Sequence, residues 1–440
     1  KPSGVEWLGE VPEGWEVVRL KRAAVAFPSN VDKKSVAGEE PVVLCNYTDV
    51  YKNDRIVAGM DFMQATATSD QIAKFTLRAG DTIITKDSET ADDIAIAAFV
   101  PDDLPGVVCG YHLTMVRPRP GADGAYIKRL FDSAFVKASV AVRANGLTRV
   151  GLGQYDIDNL ELPLPPLPEQ AVIAAFLDRE TGKIDALVAE QERLIELLRE
   201  KRQAVISHAV TKGLNPKAPM KDSGIEWLGE VPAHWELKKL GYIATCKSGA
   251  GFPDEHQGQT EHNIPFFKVG DLSRAAADGA LRDCAHTVSE QTAQTLRARV
   301  FGAGTIVFAK VGAALLLQRY RWLGRPACID NNMMGMSLEP SAERAFALLL
   351  LPLLDLNVIV NPGAVPSINE SQISAQRVAL PPLPEQRAIV VHLERETAGI
   401  DALLTEAQRA IELLQERRSA LISAAVTGQI DVRKLGERAA

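Results

Sequence analysis

The segment LPPLPEQAVIAAFLDRETGKIDAL at 164–187 returns as LPPLPEQRAIVVHLERETAGIDAL at 380–403, and the two copies set the architecture of the chain. The match runs for about 48 positions, of which about 30 are identical, far more than chance produces. A second repeat, SGVEWLGEVPEGW at 3–15, recurs as SGIEWLGEVPAHW at 223–235. The chain is therefore a tandem duplication in which variable and fixed segments alternate.

The fixed segments predict two long helices. Prolines at the LPPLPEQ segments suit a helix start, and the only interior glycines that follow are Gly182 in one copy and Gly399 in the other. Apolar residues then recur at three-four spacing, which is typical of a coiled-coil seam. A rod of about 40 residues, on the order of 60 Å long, cannot bury such a stripe alone, so we expect the helices to pair in antiparallel fashion. The predicted pairing residues are Ile184, Leu187, Leu194, Leu198, Ile400, Leu403, Leu414 and Leu421.

The alternative is that each apolar stripe packs on its own neighbouring domain. Charged residues on the remaining faces of the helices are typical of a solvated surface, although a partner protein could dock there.

The two variable segments predict mixed α/β domains. The runs GDTIITK at 80–86 and GTIVFAK at 304–310 share a turn-and-strand pattern, and other short β-rich runs are separated by Gly, Asp and Asn. Expected strands lie at 41–44, 82–84, 107–109, 264–267 and 305–308, and expected closing helices lie at 126–142 and 342–356.

Composition limits the class of protein. Of 440 residues, 46% are hydrophobic and 24% charged, which supplies two or three cores and excludes disorder as the main state. The most apolar stretch, 345–360, is interrupted by Pro352 and Asp355 and is not expected to span a membrane. Five separated cysteines without a CxxC pair argue against a disulfide framework and a zinc site. They favour a reducing cytoplasm, and no export leader is recognisable.

The charge balance argues against nucleic-acid binding by bulk positive charge. The formal net charge is −7. Residues 21–160 and 241–379 carry net charges of about −2 and about zero, so any DNA contact must rest on local patches.

No catalytic constellation is recognisable in the sequence. The patterns GxxxxGK[ST], GxSxG and HExxH do not occur, and the seven histidines are scattered. Asp87 and Glu89 beside Lys86 could suggest a nuclease cluster, but without a paired acidic residue at suitable spacing a surface loop is the better interpretation. We therefore expect a recognition and scaffolding protein that holds no metal and is not itself an enzyme.

The order of these segments resembles the specificity (S) subunit of Type I restriction-modification enzymes, over essentially the whole chain. The most specific elements are the two PPLPEQ segments, the RETxxIDAL cores that begin at Arg179 and Arg395, and the two tryptophan repeats. The resemblance implies an α+β protein with two mixed α/β target recognition domains, separated by two long conserved helices that form an antiparallel coiled coil with pseudo-twofold symmetry. The implied domains are 1–163, 164–213, 214–379 and 380–440, with the helices in the second and fourth.

The resemblance also implies a division of labour among subunits. Each recognition domain would read one half of a bipartite, asymmetric double-stranded DNA target, and the paired helices would set the spacing and dock two methylation subunits. Those subunits would bring S-adenosylmethionine for adenine methylation. Restriction subunits would bring ATP-driven translocation and cleavage, with magnesium. This chain would bind no cofactor.

Candidate base-contacting residues are Arg, Lys and Asn side chains in the loops of the variable segments, because these side chains pair with guanine and adenine edges. Lys86 and Lys310, which follow matching strand patterns in the two copies, are the better candidates. For each residue of the set, an ordinary role at the surface is the alternative. The set comprises Asn46, Lys52, Asn53, Arg55, Lys86, Arg143, Asn145, Arg149, Lys268, Lys310, Asn331, Asn332 and Asn369.

The tryptophan repeats predict structural anchors. Trp7, Leu8 and Trp15, with their second-copy counterparts, are large and apolar, and we expect them to tie the chain to a neighbouring helix end. Two equivalent halves would offer equivalent faces to two copies of one partner. The rival functions are a non-catalytic coiled-coil adaptor that binds only proteins, and a self-contained nuclease or methyltransferase.

Overall fold

The computed structural model describes residues 1–146, 148–355, 359–361 and 365–432. The predicted helix end at Leu356 and the end of the predicted C-terminal tail lie outside the described residues. Two compact units are present. One comprises Lys1–Arg193 and Ala407–Ala440, and the other comprises Leu194–Glu406. The boundary between the two units therefore falls within both long helices, whereas the predicted domain boundaries lie at the ends of the sequence repeats.

The first unit contains one antiparallel sheet of order β2-β10-β6-β8 and one mixed sheet of order β4-β3-β9-β5, in which β3 and β9 are parallel. Its strands are β1 (Glu16–Arg19), β2 (Ala24–Pro28), β3 (Glu40–Cys45), β4 (Met63–Ala67), β5 (Thr76–Leu77), β6 (Thr82–Thr85), β7 (Asp87–Ser88), β8 (Ala97–Phe99), β9 (Leu104–Cys109), β10 (Leu113–Pro118), β11 (Val150–Gly151) and β12 (Glu161–Leu164). Its helices are α1 (Leu20–Ala23), α2 (Tyr47–Lys52), α3 (Ser69–Phe75), α4 (Gly124–Asp132), α5 (Ala134–Ala141), α6 (Gln154–Asp158) and the first part of α7 (Leu167–Lys212).

The second unit contains sheets of order β16-β23-β20-β21-β18 and β19-β17-β22. Its strands are β13 (Met220–Asp222), β14 (Glu230–Pro232), β15 (Glu236–Lys239), β16 (Ala244–Ser248), β17 (Ile264–Phe267), β18 (Ala280–Leu281), β19 (Thr287–Val288), β20 (Ile306–Ala309), β21 (Arg321–Leu323), β22 (Cys328–Ile329), β23 (Met333–Leu338) and β24 (Arg377–Leu380). Its helices are α8 (Glu290–Thr295), α9 (Ala313–Leu316), α10 (Arg344–Leu350), α11 (Glu370–Ser374) and α12 (Leu383–Val426), which ends in the first unit.

The two variable segments share a fold although their sequences differ. The order β2-β10-β6 in one unit matches β16-β23-β20 in the other, and the parallel pair β3–β9 matches β17–β22. In both units the strand that enters the domain pairs with the strand that leaves it, β1 with β12 and β15 with β24. The predicted tandem duplication of mixed α/β domains is confirmed.

The closing helices are shorter than the sequence predicts. The expected helix at 126–142 is two helices, because Ser133 has an extended backbone and its hydroxyl accepts a bond from the Val136 backbone. Serine competes in this way with helical hydrogen bonding. The expected helix at 342–356 consists of α10 and a 3₁₀ turn at Leu351–Leu353, where Pro352 cannot donate a helical hydrogen bond.

The glutamine of each LPPLPEQ segment joins a long helix to the variable domain that precedes it. Gln170 is fully buried; its Oε1 accepts a bond from the Asp123 backbone at 2.8 Å, and its Nε2 donates to the carbonyls of Gly121 and Pro165 at 3.1 and 2.8 Å. Asp123 is the N-cap of α4. The repeated glutamine therefore fixes the angle between the start of α7 and the closing helix of the domain.

Gln386 repeats this arrangement in the second unit. Its Oε1 accepts from the Glu343 backbone at 2.7 Å, and its Nε2 donates to Ser341 and Pro381 at 2.9 and 2.8 Å. The identity of the two LPPLPEQ segments thus has a structural reason, which is a buried amide with both its donor and its acceptor satisfied.

We expect Gln170→Leu to lower the free energy of unfolding of the first unit by about 2–4 kcal/mol, because the Asp123 N–H and two carbonyls lose the buried amide that is their partner. Gln386→Leu should act equally on the second unit. Amide hydrogen exchange resolved by segment measures both, and Gln203→Leu at an exposed position of α7 is the control. An equal effect of the control and the buried substitutions would contradict the assigned role.

Helices α7 and α12 have 46 and 44 residues and pair in antiparallel fashion, as predicted. In the first unit Arg418 binds Asp185, and in the second Arg202 binds Asp401, with Nε to carboxylate distances of 2.8 Å. The offset from Asp185 to Asp401 and from Arg202 to Arg418 equals the offset between the two LPPLPEQ segments. The two ion pairs are therefore one contact that the duplication repeats in each unit.

The buried seam of the helices differs from the predicted one. Leu187, Leu194 and Leu403 are 46%, 41% and 56% exposed and do not belong to it. Ile195 and Ile411 are buried instead. The prediction chose leucines for the seam. The helix turns that face the partner helix instead place Gln191 and Ala407 at the intervening seam positions. The predicted residues that are buried or half-buried are Ile184, Leu198, Ile400, Leu414 and Leu421.

The second tryptophan of each repeat is a structural anchor at the end of a long helix, as predicted, whereas Trp7 is 44% exposed and stacks on Phe135. Trp15 and Trp235 are buried. A glycine with φ +74° follows each helix, and a Cβ on it would lie 3.3 Å from the Trp15 ring at Gly428 and 3.2 Å from the Trp235 ring at Gly213. The left-handed backbone and the close ring both favour glycine at these helix ends.

Candidate DNA interface

In the first unit, three segments meet at the ends of neighbouring strands. Lys86 follows β6 directly, and its backbone N–H donates to His112 O at 3.1 Å. His112 lies in the turn between β9 and β10. The adjacent Gly110 donates to Cys45 O at 2.9 Å, which places Asn46, at the start of α2, at the same edge. Side chains at this edge are held by buried strands and are thereby positioned.

The side chains at this edge combine positive charge with aromatic rings. Lys86 Nζ lies 4.2 Å from the centroid of the Tyr111 ring, and burial lowers the pKa of Lys86. Asp87 binds His112 Nδ1 at 2.8 Å and Arg149 at 2.5 Å. Cationic and aromatic groups in one cluster can contact phosphates and bases.

Two adjoining cavities of about 170 and 410 Å³ extend this edge, and both are lined by Lys33, Tyr47, Thr48 and His112. Tyr47 stacks on Tyr51, with ring centroids 5.6 Å apart. The predicted set of base-contacting residues omits the tyrosines and His112, because it contains only Arg, Lys and Asn side chains. The Tyr-His pair in the turn before β10 was the available signal.

The second unit has an equivalent edge. Lys310 follows β20, and its N–H donates to Asn332 O at 2.8 Å. The backbone N–H of Asp330, which lies beside the exposed Asn331, donates to Phe267 O at 2.9 Å. This bond brings Lys268 to the same edge. Ile368, which precedes Asn369, donates its backbone N–H to Lys310 O at 2.9 Å. All five predicted base-contacting residues of this domain therefore lie at this edge.

Local contacts fix several of these candidates. Lys310 Nζ donates to Ser248 at 2.9 Å, and Lys268 Nζ donates to Gln257 at 2.9 Å. Asn369 caps α11. Burial raises the pKa of Asp330 in the neighbouring turn. The edge of the second domain thus carries amides and lysines where the first domain carries tyrosine, histidine and lysine.

The remaining candidates of the first domain do not all join its edge. Arg55 binds Asp178 of α7 at 2.5 Å, and Arg143 binds the Ser139 carbonyl at 2.7 Å, so both have structural partners and are weaker candidates. Lys52 and Asn53 are exposed at the far end of α2. Asn145 pairs with Gly151 in an isolated β-bridge. The next residue, Leu152, donates its backbone N–H to Lys86 O at 3.0 Å, which places this bridge near the edge.

Among the residues that the structure describes, no group of three or more His, Cys, Asp and Glu side chains is arranged to hold a metal ion. Within the same residues, no helix has the length and apolar character needed to cross a bilayer.

Similarity to known proteins extends over nearly the whole chain. A putative type I restriction enzyme MjaX specificity subunit of Methanocaldococcus jannaschii is 23% identical, with 97% of this chain and 96% of that protein aligned. The EcoKI specificity subunit of Escherichia coli K12 is 22% identical over 74% of this chain and 68% of that protein.

Solved structures show the same fold. A chain from a structural study of complex assembly and conformational transition in a type I R-M system has a TM-score of 0.69 at 20% identity, covering 96% of this chain and all of that one. The HsdS subunit of Thermoanaerobacter tengcongensis has a TM-score of 0.52 at 20% identity, with 96% of this chain and 98% of that chain covered.

The family described as Type I restriction modification DNA specificity domain matches residues 12–197 and 232–413, one copy in each half of the duplication. Each copy contains one of the strand-end edges described above and the helix that follows it. The chain therefore belongs to the Type I restriction-modification specificity family, as a specificity subunit with two target recognition domains.

Proposed function

We propose that each recognition domain reads one half of a split, asymmetric double-stranded DNA sequence, and that the paired helices fix the distance between the halves. The observation that carries this proposal is the equivalent strand-end edge of the two domains. The edges share a lysine after the same strand, Lys86 or Lys310, but differ in the turn beside it. Two different sets of side chains on one fold suit two different half-sites.

The long helices suit the role of a spacer. At 1.5 Å per residue, helices of this length are about 65–70 Å long, which is about two turns of duplex DNA. Each helix runs without interruption from one compact unit into the other. A continuous rod transmits its length to the domains, whereas a flexible linker would permit many gaps.

The proposal assigns catalysis to other subunits of a complex. Equivalent surfaces in the two halves would accept two methylation subunits, which would supply S-adenosylmethionine. Restriction subunits would supply ATP, magnesium and cleavage. The chain itself would be a non-catalytic cytoplasmic subunit. The relatives from Methanocaldococcus jannaschii and Escherichia coli are specificity subunits, which supports this assignment.

We expect a seven-residue insertion in both helices, after Arg193 and after the equivalent Arg409, to lengthen the preferred gap between half-sites. A heptad keeps the seam in phase and adds about 10 Å, which is about three base pairs. Binding selection from duplexes with randomised gaps measures the preference. An unchanged gap would refute the spacer role.

An exchange of one variable segment is the control for that experiment. Replacement of residues 21–160 by those of a relative should change one half-site and leave the gap unchanged. Assembly with partners but without any sequence-selective retention of DNA would instead indicate a protein-binding adaptor.

A further inference from the structure

A two-residue turn projects from the strand-end edge of the first domain. Leu113 N–H donates to Gly110 O at 3.1 Å, so Tyr111 and His112 are the central residues of a β-turn between β9 and β10. The flanking Cys109 and Leu113 are fully buried, whereas Tyr111 is 50% exposed. The turn therefore presents its side chains from a rigid base.

The second domain has the same turn with different side chains. Met333 N–H donates to Asp330 O at 3.0 Å, which makes Asn331 and Asn332 the central residues. Both are exposed, and Met333 is fully buried. In each domain the lysine after the adjacent strand bonds the carbonyl of the second turn residue. Backbone geometry is thus shared, and only the chemistry of the turn differs.

We infer that this turn is the specificity-determining element of each recognition domain, with Tyr111 and His112 reading one half-site and Asn331 and Asn332 reading the other. The inference rests on the proposed function and adds the residues that select the bases. Side chains on a rigid turn between buried strands can be held against a base edge more accurately than side chains on a long loop.

The chemistry of each turn indicates the class of base. An asparagine amide can both accept from N6 and donate to N7 of adenine, so the Asn331-Asn332 turn suits adenine. Asp87 accepts a hydrogen bond from His112 Nδ1 at 2.8 Å. This bond favours the neutral tautomer that carries its proton on Nδ1, in which Nε2 is an acceptor. That acceptor suits the exocyclic amino group of adenine or cytosine.

A reciprocal exchange of the turns tests the inference. The full chain, assembled with its methylation subunits, is used in binding selection from duplexes randomised in both half-sites. The variants are Tyr111→Asn with His112→Asn, and Asn331→Tyr with Asn332→His; Asp70→Asn, exposed on α3 of the first domain, is the control. Thermal unfolding checks that each variant folds, and His112→Asn alone is a milder second variant.

We expect each exchange to change the base preference within one half-site by roughly tenfold, and to leave the other half-site and the gap unchanged. Unchanged half-sites for the variants, when the unaltered chain selects a split target, would overturn the inference and leave the proposed function standing. A uniform loss of affinity for all sequences would also overturn it, because it would indicate a phosphate contact. Selection of no split target by the unaltered chain would overturn both.

Discussion

Replacement of Asp178 by alanine is expected to lower the free energy of unfolding of the first unit by about 2–4 kcal/mol, because it removes one acidic partner of the buried Arg129. Asp178 lies on α7 and binds Arg129 at 2.6 Å and Arg55 at 2.5 Å. Arg129 is almost fully buried and also binds Asp132 at 3.0 Å. The loss of Asp178 leaves the buried Arg129 guanidinium with less compensation and removes one of the contacts between the domain and α7.

The duplication supplies a matched control for this substitution. The repeat places Glu394 at the position equivalent to Asp178, and Glu394 is exposed. The second domain has Leu348 and Leu349 where the first has Lys128 and Arg129, and these leucines pack against its hydrophobic core. We expect Glu394→Ala to change stability by less than about 0.5 kcal/mol. Segment-resolved hydrogen exchange separates the two units, and equal losses from both substitutions would contradict the prediction.

Asp54 forms ion pairs with Lys128 and Arg129, and so belongs to the same cluster, which should make the first unit sensitive to acid. Burial tends to raise the pKa of Asp54, but attraction to Lys128 and Arg129 outweighs it, and the pKa of Asp54 is lowered. Folding then favours the charged carboxylate. The stabilisation is complete above the unfolded pKa, near 3.8, and is lost as the pH falls through the lower folded value. Asp54→Asn should remove this part of the acid sensitivity.

Replacement of Lys86 or Lys310 by alanine is expected to weaken binding of a complete bipartite duplex by about 10- to 100-fold, and both together should weaken it further. Each lysine follows a fully buried strand and is held beside the turn that we assign to base reading. A partly buried ammonium loses less water on contact with DNA than a fully hydrated one, so its contact contributes more. Folding should be preserved, since burial of Lys86 disfavours its charged form.

Salt titration of binding distinguishes the kinds of contact that these lysines make. A phosphate contact lowers the salt dependence by about one charge and affects all sequences alike, whereas a base contact relaxes selectivity at one position. Lys74→Ala, at an exposed position of the first domain, is the control. Lys86→Arg should retain most of the affinity. Affinity and selectivity that are unchanged in the double variant would show that the strand-end edges do not contact DNA.

Sequence reasoning predicted the duplication, the long antiparallel helices and the mixed α/β domains, because these depend on repeats and on periodic apolar residues that are visible without coordinates. It also predicted that Lys86 and Lys310 occupy equivalent places. It placed Leu187 and Leu194 in the helix seam wrongly, since both are exposed. Composition favoured the leucines, whereas the phase of the helix relative to its partner decides which residues are buried.

The sequence by itself determined the order of domains and helices, since local periodicity and repetition carry that information along the chain. Only the tertiary structure decided which side chains meet. Arg55 pairs with Asp178 of α7, and Tyr111 and His112 join Lys86 at one edge. These contacts join strands and helices that are distant in the sequence, and no spacing rule encodes them, because they depend on how the sheets and long helices pack.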